Sequence, residues 1–260
     1  MVLYMSCTGN TRWVAERIAA ATGDVAANIL SGVPRITDDV LCLCFPVHGW
    51  RPPQILRTII GGLRDDPAWW QPQGRPYVCV VCTAGDNIGE AADLVRADLR
   101  AIGVDVDSCY SLLMPESYVN LPFMDVDTPE REAAKISRAA GSLVDIIDDI
   151  RARRCGIERT HRGRWPRINS RLLGGYFVSR LISDRRFSVT AEKCTGCGAC
   201  ADACQADNMR LTGDGRPQWL HNGRCMTCMA CYHHCPNHAI EWGRWTRDKG
   251  QYFFGMKNEE

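Results

Sequence analysis

Continuous apolar runs alternate with helical periodicity along the first 150 residues. Val2–Met5, Val40–Phe45 and Tyr77–Cys82 are apolar without a polar break, and Val104–Met114 is extended and partly alternating. Between these runs, Thr11–Ala21 and Ile55–Leu63 have helical character. Ile88–Ile102 carries apolar residues at 88, 91, 92, 94, 95, 99 and 102, and Glu130–Ile150 is a long amphipathic segment. Strands that are apolar on both faces belong in a parallel sheet, where helices cover both sides. The pattern predicts a doubly wound α/β domain of four or five parallel strands over residues 1–150.

The pattern changes after residue 150. Residues 151–187 are rich in arginine and then amphipathic, with apolar positions at Ile168, Leu172, Leu173, Tyr176, Phe177, Leu181 and Ile182. The Gly174–Gly175 pair is expected to interrupt any helix there, and the segment reads as a linker that packs. Residues 188–260 form a third unit with a C-terminal tail. It contains an internal repeat of offset 31, which maps Cys194 onto Cys225, Cys204 onto Cys235 and Leu211 onto Trp242. Between the halves, Thr212–Gly215 is a turn signal, and the flanking runs Asn208–Leu211 and Pro217–Leu220 are expected to form a small hairpin.

Cysteine usage decides the chemistry. The chain has 15 cysteines, and eight of them spell one phrase twice: Cys194, Cys197, Cys200 and Cys204, then Cys225, Cys228, Cys231 and Cys235. This CxxCxxCxxxC spacing is that of two [4Fe–4S] cubanes, in which the fourth cysteine of each run ligates the other cluster. One cluster is thus expected on Cys194, Cys197, Cys200 and Cys235, and the other on Cys225, Cys228, Cys231 and Cys204. Pro236 follows the second run, whereas Gln205 follows the first, so a local change is expected there. CxxC pairs also bind zinc, but eight cysteines in two such runs fit zinc modules poorly. Most of the remaining seven lie in apolar runs, where a thiol behaves as a small hydrophobe.

The loop Ser6-Cys7-Thr8-Gly9-Asn10-Thr11 leaves the first strand and opens the first helix. Free N–H groups at such a helix start, with hydroxyls at 6, 8 and 11, suit an anion such as a phosphomonoester; a simple Ser or Thr cap is the alternative. Two more loops follow later strands: Pro46-Val47-His48-Gly49-Trp50-Arg51-Pro52, and Thr83-Ala84-Gly85-Asp86-Asn87-Ile88-Gly89. All three lie at carboxyl ends of parallel strands, where open α/β sheets bind ligands. Trp50 is placed to cover a flat ring or to serve as an interface aromatic, and Tyr118 either packs or meets the same ring.

Ser6–Thr11 resembles the phosphate loop of flavodoxins, [ST]-x-T-G-x-T, over a likeness that covers residues 1–150. Residues 188–243 resemble bacterial two-cluster ferredoxins, and the whole chain is similar to flavodoxin–ferredoxin fusion proteins of anaerobes. The resemblance implies a flavodoxin-like doubly wound sheet followed by an α+β ferredoxin-type domain, with FMN and two [4Fe–4S] clusters. It implies that Ser6, Thr8, Gly9, Asn10 and Thr11 bind the FMN phosphate. By the same likeness Pro46, His48, Gly49, Trp50, Thr83, Ala84, Gly85, Asp86 and Tyr118 are expected near the flavin.

Charge sharpens the picture of partners. The net charge of +1 conceals an acidic first part, with 12 Lys+Arg against 20 Asp+Glu over residues 1–150. Residues 151–187 carry 11 Arg against 2 acids. Packing against the acidic domain is the preferred reading of these arginines, ahead of an acidic redox partner or a membrane surface, and nucleic acid is not expected. The N-terminus shows no basic region followed by an apolar one, and no apolar run nears the ~20 residues of a membrane span, so a cytoplasmic protein is expected. The expected function is low-potential electron transfer between the clusters and FMN, with ferredoxins or low-potential oxidoreductases as partners. The rivals are an FMN oxidoreductase reducing a small acceptor such as a quinone, and a redox sensor with structural clusters.

Overall fold

A computed structural model describes residues 1–256; the last four residues of the expected tail lie outside the described residues. The sheet runs β2 (Ala26–Asn28), β1 (Val2–Tyr4), β3 (Val40–Pro46), β4 (Tyr77–Ala84), β5 (Ser108–Leu113) and β6 (Glu158–Arg159), with every neighbouring pair parallel. The order 2-1-3-4-5 is that of flavodoxin-like sheets, with its switch point between β1 and β3. The sixth strand exceeds the four or five expected. It is a two-residue edge taken from the Arg-rich segment, too short and polar to leave a pattern in the sequence.

The strands alternate their side chains between two helical layers. Leu41, Leu43 and Phe45 of β3 and Val78, Val80 and Cys82 of β4 meet Leu56 and Ile60 of α2 (Gln54–Gly62) and Val95 and Leu99 of α3 (Ala91–Ala101). Cys42, Cys44, Tyr77, Cys79 and Val81 face α1 (Asn10–Thr22) and α4 (Pro129–Arg151) instead. The strand cysteines are buried apolar filler, as their positions in apolar runs suggested. Thr128 caps α4 by accepting from Arg131 N, and Pro129 occupies the first helical position, where its missing N–H costs nothing.

The Arg-rich segment departs from expectation at the glycine pair. Residues 166–181 are helical throughout, with wide π-type turns at Ile168–Leu173 and Phe177–Leu181 joined by Gly174–Tyr176. Gly174 does not break the helix; it lets the helix touch another backbone. A Cβ there would press into the Gly49 carbonyl oxygen well inside 3.0 Å and would meet Arg51 Cδ at 3.1 Å. The arginines largely serve packing: Arg154 and Arg159 reach the buried Asp149 at 2.8 and 3.1 Å, Arg171 reaches Glu90 at 2.8 Å, and Arg162 pairs with Asp93.

The C-terminal part is built on two antiparallel pairs. β7 (Phe187–Val189) pairs with β10 (Ile240–Trp242), and β8 (Met209–Leu211) pairs with β9 (Pro217–Trp219) as the expected hairpin. The 31-residue repeat recurs in the backbone. Gly196, Gly198 and Asp207 have φ of 70°, 82° and 47°, and their counterparts Thr227, Met229 and His238 have 49°, 62° and 47°. This part docks on the carboxyl edge of the sheet: Val119 enters its core, while Ala206 and Met226 enter the core beneath β3 and β4. Among the described residues, no helix is long and apolar enough to cross a membrane.

Candidate functional site

A cavity of about 210 Å³ opens where the carboxyl ends of β1, β3 and β4 meet the C-terminal part. Of the residues expected around an FMN, it is lined by Ser6, Thr8, Asn10, Thr11, Pro46, His48, Gly49, Trp50, Thr83, Ala84, Gly85, Asp86 and Tyr118. Gly9 is the exception. Its φ of 92° turns the chain into α1, and a Cβ there would meet Phe254 Cβ at 2.9 Å rather than the cavity.

The loop that opens α1 is held from several sides. Thr11 and Thr83 share a hydroxyl hydrogen bond of 2.7 Å, Thr8 Oγ1 donates to Ser117 Oγ at 3.3 Å, and Asn10 Nδ2 donates to Pro115 O at 3.0 Å. The tail completes the hold. Tyr252 OH donates to Asn10 Oδ1 at 2.6 Å, and Phe254 N donates to Thr8 O at 2.7 Å. The side chains of Thr8, Asn10 and Thr11 are thus fixed by protein partners, which leaves the backbone N–H groups and the Ser6 hydroxyl as the natural donors to an anion. No Lys or Arg is among the lining residues.

The ring-side loops are fixed from outside the cavity. Ser170 Oγ donates to Trp50 O at 2.7 Å and accepts from Glu90 N at 2.7 Å, and Arg51 Nη1 donates to Ser170 O at 2.9 Å. Phe177 comes down beside Gly49, where a Cβ would meet its ring at 2.5 Å, and it stacks edge-on with Tyr118 at 5.4 Å. Helix 166–181 therefore roofs the cavity. Lys135 Nζ bridges Asp127 Oδ2 at 2.5 Å and Gly85 O at 2.9 Å, while Glu116 N donates to Asp127 at 2.8 Å. That network ties the 83–87 loop to the 115–118 loop.

The lining has the marks of a ligand site. Ser6 Oγ, His48 Nδ1, Asn87 Oδ1 and Tyr118 OH are buried without a hydrogen-bond partner. Native interiors seldom leave such groups unmet, because each costs about 1–3 kcal/mol. Burial drives the His48 imidazole down to about 4, so it is neutral at pH 7. Burial also raises the Glu116 carboxyl above its usual range, against the opposing pull of hydrogen bonds from Ser117 N and Tyr118 N. These atoms, with Trp50 and Phe177, suit a flat heteroaromatic ligand carrying a phosphate.

The cysteines fall into two groups. Cys194, Cys197, Cys200 and Cys235 line one small cavity together with Gly196, Gly198 and Gly215, which unites three cysteines of the first run with the last of the second. Cys204 lies instead among Cys225, Cys228 and Cys231, near enough for their charges to interact. Among the described residues, no group of three or more Cys, His, Asp or Glu is arranged to hold a metal ion. Four thiolates around a cube bind one iron each, so they stand further apart than four thiolates on one zinc ion. Thr227 N donates to Cys225 Sγ at 3.4 Å and Ala239 N to Cys235 Sγ at 3.3 Å, the kind of contact that tunes a cluster.

Sequence reasoning did not anticipate that the two sites share a wall. Met226, Thr227 and Cys228 line the large cavity together with Cys7 of the α1 loop. Thr227 and Met229 stand where the first run has Gly196 and Gly198, and a left-handed backbone disfavours both side chains. A departure from glycine at such positions was the available signal: these two side chains are wanted for packing. Glu116, Asn87 and Phe177 also line the cavity without having been singled out as site residues.

Residues 193–240 match the family model of the 4Fe-4S dicluster domain. A search of curated proteins gave no match. Among solved structures, the chain is similar to the Trp repressor binding protein from Bacillus subtilis, at 14% identity and a TM-score of 0.39, over 57% of this chain and 95% of that one. It is also similar to two-electron reduced flavodoxin from Megasphaera elsdenii, at 18% identity and a TM-score of 0.32, over 54% of this chain and 97% of that one. The chain thus carries an iron–sulfur dicluster domain of the electron-transfer kind at its C-terminal side, behind a parallel sheet of flavodoxin-like strand order.

Proposed function

We propose that the chain passes electrons between two [4Fe–4S] clusters and an FMN held in the large cavity. One cluster sits on Cys194, Cys197, Cys200 and Cys235, the other on Cys225, Cys228, Cys231 and Cys204. The FMN-binding part spans residues 1–150, the packing segment 151–187 and the cluster-binding part 188–260. The observation that carries this reading is the shared wall: one cavity is lined both by the three sheet-end loops and by Met226, Thr227 and Cys228 of a cysteine run. FMN supplies one- and two-electron chemistry when bound, whereas each cluster handles one electron.

The protein's own part is positioning. The backbone at Thr8–Thr11 receives the phosphate, and Ser6 Oγ adds a free hydroxyl. Trp50, Tyr118 and Phe177 exclude water from the ring, with Phe177 anchored through the roof helix. Neutral His48 and the Glu116 carboxyl offer hydrogen-bonding capacity inside the cavity. Redox partners of the dicluster domain exchange electrons with the cluster further from FMN.

An anaerobic redox titration of reconstituted protein, followed by EPR and flavin absorbance, tests the proposal. About eight irons and one FMN per chain, all reversibly reducible, are expected. Zinc in place of iron, or no flavin bound under saturating FMN, overturns it.

A further inference from the structure

The roof helix has a second face. Inward, Ser170 and Phe177 are buried against the cavity loops, and Gly174 touches the Gly49 carbonyl. Outward, Trp165, Ile168, Leu172 and Tyr176 follow at intervals of three or four residues and are 56%, 49%, 68% and 61% exposed. Burying a Leu or Trp is worth roughly 1.5–3 kcal/mol or more, so a run of four in water on one helix marks a contact surface.

Charge says what the contact is. Of the arginines on or beside this helix, Arg162 and Arg171 pair with Asp93 and Glu90. Among the described residues, Arg164, Arg167 and Arg180 have no carboxylate within ion-pair distance, and Arg164 lies over the Trp165 ring at 5.3 Å. The outer face thus combines aliphatic side chains, an aromatic at either end and free guanidinium groups beside them. That is the composition of helices that lie in the headgroup layer of an anionic bilayer. The exposed guanidinium groups complement the phosphates of an anionic headgroup layer, and the exposed apolar side chains between them suit the acyl boundary beneath it.

We infer that helix 166–181 docks this protein on an anionic phospholipid surface, through Trp165, Ile168, Leu172 and Tyr176 and the flanking arginines. Docking is peripheral: the aliphatics enter the boundary between headgroups and acyl chains, and the long arginine side chains reach phosphates. It sets the cavity about one helix diameter, roughly 10 Å, from the headgroups.

Flotation of the holoprotein with vesicles of phosphatidylcholine alone, or of phosphatidylcholine with 30% phosphatidylglycerol, under anaerobic conditions tests this. The protein is expected to float with the anionic vesicles at low salt, at least tenfold more than with neutral ones, and to be released by about 0.5 M salt as screening sets in. Ile168→Ser with Leu172→Ser should abolish flotation while iron and flavin content, which report the fold, stay at wild-type levels. Failure of wild type to float with anionic vesicles at low salt overturns the inference, as does undiminished flotation of the double variant. Capture by an acidic protein without any vesicle binding also overturns it. Iron content alone reports the fold should the cavity hold a ligand other than FMN, so failure of the flavin reading and failure of this inference are told apart.

Discussion

The glycine pair in the roof helix gives two neighbouring substitutions opposite signs. At Gly175 an added Cβ meets nothing within 4 Å, so Gly175→Ala gains helix propensity, about 0.8–1 kcal/mol. At Gly174 the same methyl group meets Gly49 O, Asn169 O at 3.0 Å and Arg51 Cδ at 3.1 Å. Two of the three are backbone, so relief requires the whole helix to move outward. That displacement pulls on the three hydrogen bonds at Ser170, to Trp50, Glu90 and Arg51, and lifts Phe177 from Gly49. Overpacking of this kind costs about 1–3 kcal/mol, and the weakened hydrogen bonds together add about 1. Net of the propensity gain, Gly174→Ala should lose about 1–3 kcal/mol, so the two variants should differ by about 2–4 kcal/mol. Anaerobic urea unfolding followed by circular dichroism gives the stability difference. FMN titration by fluorescence quenching gives the local one, since Trp50 and Phe177 line the cavity: about 5–50-fold weaker binding is expected for Gly174→Ala and none for Gly175→Ala. Equal stability and equal FMN affinity in the two variants would refute both the close approach and the roof.

Other substitutions probe other parts. Cys204→Ser and Cys235→Ser should each lower the iron content from about eight to about four per chain, and only the Cys204 variant should lose the cluster that couples magnetically to one-electron-reduced flavin; EPR tells them apart. His48 is pushed down to about 4 from an ordinary 6.5, so its contribution to stability is complete above pH 6.5 and is lost as pH falls toward 4. Urea unfolding between pH 7.5 and 5 should therefore show a decline to which His48 contributes up to about 1.4 kcal/mol per pH unit, and His48→Gln removes that part while buried His233 keeps its own; parallel curves for the two proteins would contradict this. Tyr252→Phe deletes the donor to Asn10 and should weaken FMN binding by about three- to tenfold, the worth of one hydrogen bond. An unchanged dissociation constant would mean that the tail does not hold the α1 loop.

The strong elements of this fold were legible because each satisfies its own local rule. The unbroken apolar runs of β3 and β4 need burial on both faces, and only a parallel sheet between helices offers it. The cysteine spacing declares both the metal and the exchange of Cys204 and Cys235 between the two groups. The failures have a common physical cause in contacts between distant segments. Gly174 and Gly175 carry a helix-breaking preference of about 1 kcal/mol each, and the close approach to Gly49 outweighs it. Edge strand β2 is too short to register, and β6 is both too short and too polar. The cavity wall at Met226–Cys228 lies some 140 residues beyond Gly85, and nothing local records that the two meet.

The tail also bears on how the protein is made. Phe254 and Tyr252 clamp the loop that begins at Ser6, and His233 meets Ser117 O at 2.6 Å while accepting from Tyr252 N at 3.1 Å. On the ribosome, the Ser6–Thr11 loop therefore waits for Tyr252 and Phe254. At ~5–20 residues per second the sheet can form roughly 5–20 seconds before the loop at its edge is clasped. A molecule whose C-terminal part fails to fold then lacks the clasp on the Ser6–Thr11 loop as well. On the function proposed above, cofactor loading would have an order, with the clusters in place before the loop that receives the phosphate is clasped.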